Sequence, residues 1–376
     1  LLAIASAIRV VVTDEEQARI ARDLEVDPGA YDAYLKGWQA STIFTAESFD
    51  TSLDHFRRAQ ELDSDMASAW SGEARLHFLR GVMEIAPFKE QMEKARAAAE
   101  KARALDENDW LAESVIGLYE EYVTFNRSEA RARYLRAVQL NPNQPLLTFY
   151  LGRLAAASGD WTRATEYARD VQDFSGDPFT TSLAGILYGW ANQHEKALEL
   201  LAASRTAKMS NLKIPFRLTY SLVETGRAEE VLTFSEKWPE TTQPYALAEI
   251  GRTEDAIKIL EGLTREFSPQ LSPATVAASY VTLGKLDEAF EWVEYLVREP
   301  WPEVWMPFRL FPFLPSHLED PNWIAFRTDS RFRALAEEAN LPPVPPEHPG
   351  YAEEQEYLIN KRAEELMTDR DLAPQE

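Results

Sequence analysis

Along most of the chain, small and apolar residues recur at i, i+4 and i+7, the spacing of one face of an α-helix. Eight such ladders line up: Ser52/Phe56/Ala59, Ala95/Ala99/Ala102, Ala130/Tyr134/Ala137, Ala164/Ala168/Val171, Ala197/Leu201/Ser204, Val231/Ser235/Trp238, Ala256/Leu260/Leu263 and Ala289/Val293/Leu296. Their first members lie 43, 35, 34, 33, 34, 25 and 33 residues apart. Four of the seven intervals fall at 33–34, so the helices are copies of one repeating unit. A turn precedes each later ladder by about five residues: Gly159-Asp160-Trp161, Asn192-Gln193-His194, Gly226-Arg227-Ala228, Gly251-Arg252-Thr253 and Gly284-Lys285-Leu286. Gly or Asn there supplies the left-handed backbone that ends one helix and starts the next. Ladders close alike, at Leu62-Asp63-Ser64, Leu105-Asp106-Glu107 and Leu140-Asn141-Pro142. Upstream of the turns, Ile116-Gly117, Leu151-Gly152 and Ala184-Gly185 put a small residue on a first helix. Each unit is therefore expected to be a helical hairpin, with the bulky ladder residue filling the gap that the small residue leaves.

These units resemble tetratricopeptide repeats, whose W-x2-L-G-x2-Y, A-x3-F and terminal Pro positions they match from about Tyr31 to Arg298. The resemblance implies an all-α fold: a right-handed superhelical solenoid of helix-turn-helix units with a concave face lined by the first helix of each hairpin. The first two units carry insertions, and the unit before Ala256 has a first helix expected to be truncated near Pro244. A narrower resemblance flanks the array. Thr13 to Arg19 followed by Val26 to Gly37 is similar to the region that joins a TolB-like α/β domain to C-terminal repeats in some bacterial cyclases, winged-helix regulators and kinases. The stretch Asp320-Pro321-Asn322-Trp323 to Leu335 is similar to the closing segment of the same proteins, with Phe326 for the usual Leu and Ser330 for the usual Pro, which implies a looser closing turn. Thr13 and Glu16 also form a capping-box pattern, and Asp27-Pro28 breaks the chain before the first repeat helix.

From Pro300 to Pro349 the chain holds eleven of its 22 Pro, and four of its ten Trp fall between Trp292 and Trp323. Proline excludes long helix here, yet Trp301, Trp305, Phe308, Phe311, Phe313 and Trp323 are too apolar for water. A Pro/aromatic-rich C-terminal cap over the last repeat is the expectation, with a polyproline ligand for an aromatic groove as the alternative. Leu341 to Pro346 reads as an extended spacer. Tyr351 to Asp371 reads as an acidic helix, docked on an edge or reaching a second copy. The organisation expected is a junction at 1–29, about eight repeats over 30–299, a cap over 300–340, and spacer plus acidic helix over 341–376.

Composition narrows the chemistry. The 376 residues carry no Cys, which removes disulfides, thiolate nucleophiles and Cys-based metal centres together. A net charge of −23 opposes binding to nucleic acid or anionic lipid. No run approaches a membrane span; Leu1 to Val12, interrupted by Arg9, reads as the cut end of something larger. The expected compartment is the cytoplasm rather than the periplasm, with the chain soluble. His55, His77, His194, His317 and His348 have no metal-ligand spacing, and no HExxH, GxSxG, GxGxxG or GxxxxGK occurs. No catalytic residue, cofactor or metal is therefore assigned.

In the repeat register, Arg75, Phe78, Tyr122, Phe149, Arg153, Trp190, Phe216 and Tyr220 fall on the concave face. Aromatic residues and Arg dominate binding hot spots; the alternative is that these side chains stabilise the superhelix or meet the C-terminal tail. The leading reading is a scaffold that binds a protein or peptide, the interaction half of a larger bacterial signalling protein, with Arg153 taking a partner carboxylate. The alternative is an oligomerisation element, a homodimer included. A third reading is a hydrolase with carboxylates in the groove, Glu121 among them.

Overall fold

The computed structural model describes residues 27–43, 45–83, 85–174, 177–205, 214–234, 239–263, 272–298 and 306–356. The capping box at Thr13, the aromatic residues Trp301 and Trp305 and the acidic stretch beyond 356 lie outside them. Among the described residues the regular structure is helical, and sixteen helices pair in sequence into eight hairpins. These are α1 (Pro28–Ser41) with α2 (Ala46–Leu62), α3 (Ala67–Val82) with α4 (Phe88–Leu105), α5 (Trp110–Tyr122) with α6 (Arg127–Leu140), and α7 (Pro145–Ala157) with α8 (Trp161–Phe174). The array continues with α9 (Pro178–Trp190) and α10 (His194–Arg205), α11 (Ile214–Glu224) and α12 (Ala228–Phe234), α13 (Pro239–Glu249) and α14 (Thr253–Leu260), and α15 (Pro273–Thr282) and α16 (Leu286–Arg298). Each hairpin packs on its neighbours, so the chain is an all-α helical-repeat solenoid.

Among the described residues the ladders fall on the second helix of their hairpins; Ser235 and Trp238 lie outside the described residues. Their described side chains are buried, apart from Leu263, which is half-buried just past α14. The turn residues behave as their chemistry requires: Gly159, Asn192, Gly226, Gly251 and Gly284 have φ of 75°, 58°, 71°, 78° and 71°. First helices begin with acids and prolines. Asp27, Asp109 and Asp177 accept hydrogen bonds from two first-turn amides each, and Pro28, Pro145, Pro178 and Pro273 stand where no amide partner is needed.

The glycines set how closely the hairpins close. A Cβ on Gly117 of α5 would come within 2.7 Å of the Tyr134 ring on α6, and one on Gly185 of α9 within 2.8 Å of Leu201 on α10. Phe56 fills two notches, lying where a Cβ on Gly37 would meet it at 2.8 Å and one on Gly72 of the next unit at 2.7 Å. At Gly152 the expected filler differs. The ladder residue there is Ala168, too short to reach, and Leu187 of the following hairpin takes the space.

Two expectations are corrected. The helix before Ala256 is not truncated at Pro244 but runs through it from Pro239 to Glu249, forgoing the amide bond that the ring cannot donate. The run Leu341 to Pro346 is not a free spacer either. Val344 and His348 are buried against the Gly159 turn, with the His348 ring 4.8 Å from Trp161 and 4.6 Å from Phe313. Nor is the closing turn loose: Asp329 alone separates α17 (Pro321–Thr328) from α18 (Ser330–Glu338), and its carboxylate accepts from the Arg331 amide.

The Pro/aromatic-rich cap lies over the last hairpin. Phe326 packs 4.8 Å from Phe290, Arg331 sits 4.2 Å above the same ring and pairs with Asp287, and Asn322 donates to the Thr282 carbonyl. Terminal repeats need such a cover, because each hairpin buries one face only against its neighbour. Deleting residues after Arg298 should uncover Phe290, Val293 and Leu296, so the shortened chain should aggregate or melt well below the full one; scanning calorimetry on the two proteins measures this.

A groove walled by the first helices

The first helices α5, α7 and α9 are apolar on two faces. One face carries the glycine notch; the other carries Leu111, Val115, Leu118 and Tyr122 on α5, Leu146, Tyr150 and Arg153 on α7, and Phe179, Leu183, Ile186 and Trp190 on α9. These residues stand at i, i+3 or i+4, i+7 and i+11, so each set forms a stripe along its helix. With Phe78 and Arg75 of α3 and Trp38 of α1 they line a cavity of about 350 Å³ walled by first helices.

Six of the eight residues expected in the groove meet in this cavity: Arg75, Phe78, Tyr122, Phe149, Arg153 and Trp190. The rings pack closely, with Phe149 5.8 Å from Trp190 and Tyr122 edge-on to Phe88 at 5.6 Å. Tyr220 lies elsewhere: it is buried edge-on against Phe311 of the C-terminal segment at 6.3 Å. Phe216 falls on α11, and its side chain lies outside the described residues. Trp38, Trp110, Leu183 and Ile186 were not singled out by the repeat register. The second apolar stripe of the first helices marks them, since one face suffices for hairpin packing.

Arg153 is not free to take a partner carboxylate. Its Nε and Nη2 donate to the two oxygens of Glu121 at 2.9 and 2.6 Å, and Tyr134 donates its hydroxyl to the same carboxylate at 2.7 Å. All three groups are buried and come from α5, α6 and α7. Burial and then the Glu121 charge raise the Tyr134 hydroxyl well above its ordinary value. Burial alone would lower the Arg153 guanidinium, but Glu121 holds it well above the usual arginine range. The guanidinium also lies 4.8 Å from the centres of both the Tyr122 and Tyr150 rings. Glu121 is thereby a structural counter-ion.

Arg75 is placed differently. Its guanidinium lies 4.8 Å from the Trp38 ring and makes one long hydrogen bond, 3.5 Å, to the Ser41 hydroxyl. Among the described residues no carboxylate pairs with it. Burial lowers its affinity for its proton, opposed by the nearby Tyr150 hydroxyl.

A cleft of about 670 Å³ adjoins the cavity, shares Trp38, Trp110 and Leu111 with it, and is lined by Asp63, Asp65, Asp106 and Asp109. Burial pushes the Asp109 carboxyl up to about 6, with Asp106 adding to the rise and the capped amides of Leu111 and Ala112 opposing it. His194 behaves oppositely, its imidazole pulled down to about 4 by burial. Among the described residues, no cluster of His, Asp and Glu is disposed to hold a metal ion, and no helix is long and apolar enough to cross a membrane.

No protein-family model matches the chain, and no curated protein matches it significantly. Solved structures do. YrrB, described as a tetratricopeptide protein with an unusual peptide-binding site, is 22% identical over 54% of this chain and 97% of its own, with a TM-score of 0.31. The tetratricopeptide domain of P58(IPK) is 16% identical over 82% of this chain and 97% of its own, with a TM-score of 0.23.

Arg153→Met leaves Glu121 buried without its cation and should cost about 3 kcal/mol in urea unfolding; adding Glu121→Gln should recover part of that loss. Asp109 has a folded value above its ordinary 3.8, so the folded state holds the extra proton and stability falls as pH rises from about 4 to about 6. His194 has a folded value below its ordinary 6.5, so the unfolded chain takes the proton first and stability falls as pH drops from 6.5 towards 4. Unfolding at pH 4, 5, 6 and 7 should therefore show Asp109→Asn rising more steeply with pH than the parent and His194→Gln rising less.

Proposed function

We propose that the chain is a scaffold that binds a protein or peptide through the inner wall built by α1, α3, α5, α7 and α9. The observation that carries this reading is what the chain itself places on the same wall further along. The segment Met306 to His317, a run of short helical turns, lies across α11, α13 and α15: Phe311 packs 5.6 Å from Tyr245, Ser316 bonds to Glu224, and His317 contacts Glu249 at 3.1 Å. A proline-broken, aromatic-rich stretch is thus an occupant that this wall accommodates, and over the first five hairpins the equivalent stripe lines an open cavity.

The partner in this reading offers apolar side chains to rings that are already held in place, so little side-chain order is lost on binding. Half-buried Trp38, Trp110 and Phe179 at the rim are the anchors, and buried Trp190 supports them from below. The similarity of the flanking segments to those of repeat-bearing bacterial regulators supports a place in the interaction half of a signalling protein.

Retention of partners from a cell extract by the intact chain tests the wall. Trp110→Ser with Phe179→Ser should reduce retention about tenfold or more while the melting temperature changes little. Trp190→Ala should lower the melting temperature as well. Full retention by the Trp110/Phe179 double variant overturns the reading.

A further inference from the structure

The cavity has a chemistry that a peptide backbone does not exploit. Its lining is aliphatic and aromatic except for a few polar groups, and most of these are engaged. Ser114 donates its hydroxyl to the Leu111 carbonyl at 2.8 Å, and Arg153 is spent on Glu121. A peptide backbone drawn inside, rather than lying along the rim, would leave amides and carbonyls without partners. Arg75 alone offers a charge without a carboxylate partner among the described residues. Its guanidinium is already oriented by the Trp38 ring, so little order is lost when an anion arrives. A volume of about 350 Å³ lies within the range of small-molecule sites, which are typically apolar with a few placed polar groups.

We propose that this cavity binds a small apolar monocarboxylate, an alkyl or arylalkyl acid whose body lies among Val115, Leu183, Ile186 and Trp190 and whose carboxylate pairs with Arg75. One carboxylate against one guanidinium gives a charge-assisted, bidentate contact. The net charge of −23 repels anions at long range, but that field is screened within about 8 Å at physiological salt, leaving Arg75 to decide at contact. The inference shares the groove with the partner-binding reading and goes beyond it, because the ligand is a small molecule.

Trp38, Trp110 and Trp190 line the cavity, so tryptophan fluorescence reports occupancy. The intact chain is titrated with decanoate and with 4-phenylbutyrate below micellar concentrations, with decanol and decyltrimethylammonium as bodies lacking the carboxylate, and calorimetry checks the stoichiometry. Saturable, one-to-one binding of decanoate, tighter than that of decanol, is expected. Arg75→Gln should weaken decanoate tenfold or more and leave decanol unchanged. Ile186→Trp should block both acids by filling the space; a melting curve identifies whether it folds, and Val115→Phe replaces it if it does not. Absence of saturable decanoate binding at millimolar concentration overturns the proposal, as does an unchanged decanoate affinity in Arg75→Gln. The two readings fail separately: decanoate binding with retention indifferent to Trp110 and Phe179 retires the scaffold wall only, and retention that depends on those rings without decanoate binding retires the small-acid site only.

Discussion

The architecture depends on how closely the two helices of a hairpin approach. Gly37, Gly72, Gly117 and Gly185 each stand where a single added carbon would lie 2.7–2.8 Å from a buried side chain of a packed helix. Because the first helix is pressed so tightly on its partner, one of its faces is fully consumed. Its other face is left over. Where that second face is apolar, as on α5, α7 and α9, the array acquires a greasy wall that hairpin packing does not need. The candidate site is thus a by-product of the same geometry that makes the solenoid.

The chain itself covers part of the wall. Over its last third the chain covers it with its own Met306 to His317, where Phe308, Leu310, Phe311 and Leu314 are all buried. Beyond this the C-terminal segment turns back along the array. Asn340 donates to the Phe125 carbonyl, Arg127 donates to the carbonyls of Ala339 and Asn340, and Val344 and His348 close on the Gly159 turn. The Arg127 and Asn340 bonds join residues more than 200 apart in sequence. Repeat arrays are ordinarily held by neighbours alone, so this strap couples the third and fourth hairpins to the end of the chain. It also explains Phe125, whose φ of 54° occupies a conformation that the other turns give to Gly or Asn: Asn340 holds the turn from outside.

The two arginines of the groove show how position decides role. Arg153 and Arg75 stand on equivalent first helices and both face the cavity. Arg153 is fixed by Glu121 and Tyr134 from the preceding hairpin, which makes it part of the frame. Arg75 has a ring beneath it and, among the described residues, no carboxylate paired with it.

The sequence determined the repeat on its own. A helical face needs residues at i, i+4 and i+7, a tight turn needs Gly or Asn with positive φ, and both requirements are local, so the eight ladders and five turns can be read directly from the chain. Six of the eight residues that the repeat resemblance assigned to the groove line one cavity, because the repeat register names the face of each first helix. Only the tertiary structure decided which neighbour fills each space. That Leu187 rather than a ladder residue meets Gly152, that Glu121 claims Arg153, and that Phe311 covers Tyr220 all depend on distances between segments that are far apart in the chain. Periodicity carries no information about such distances, because it describes a residue's direction from its own helix axis and says nothing of what lies opposite.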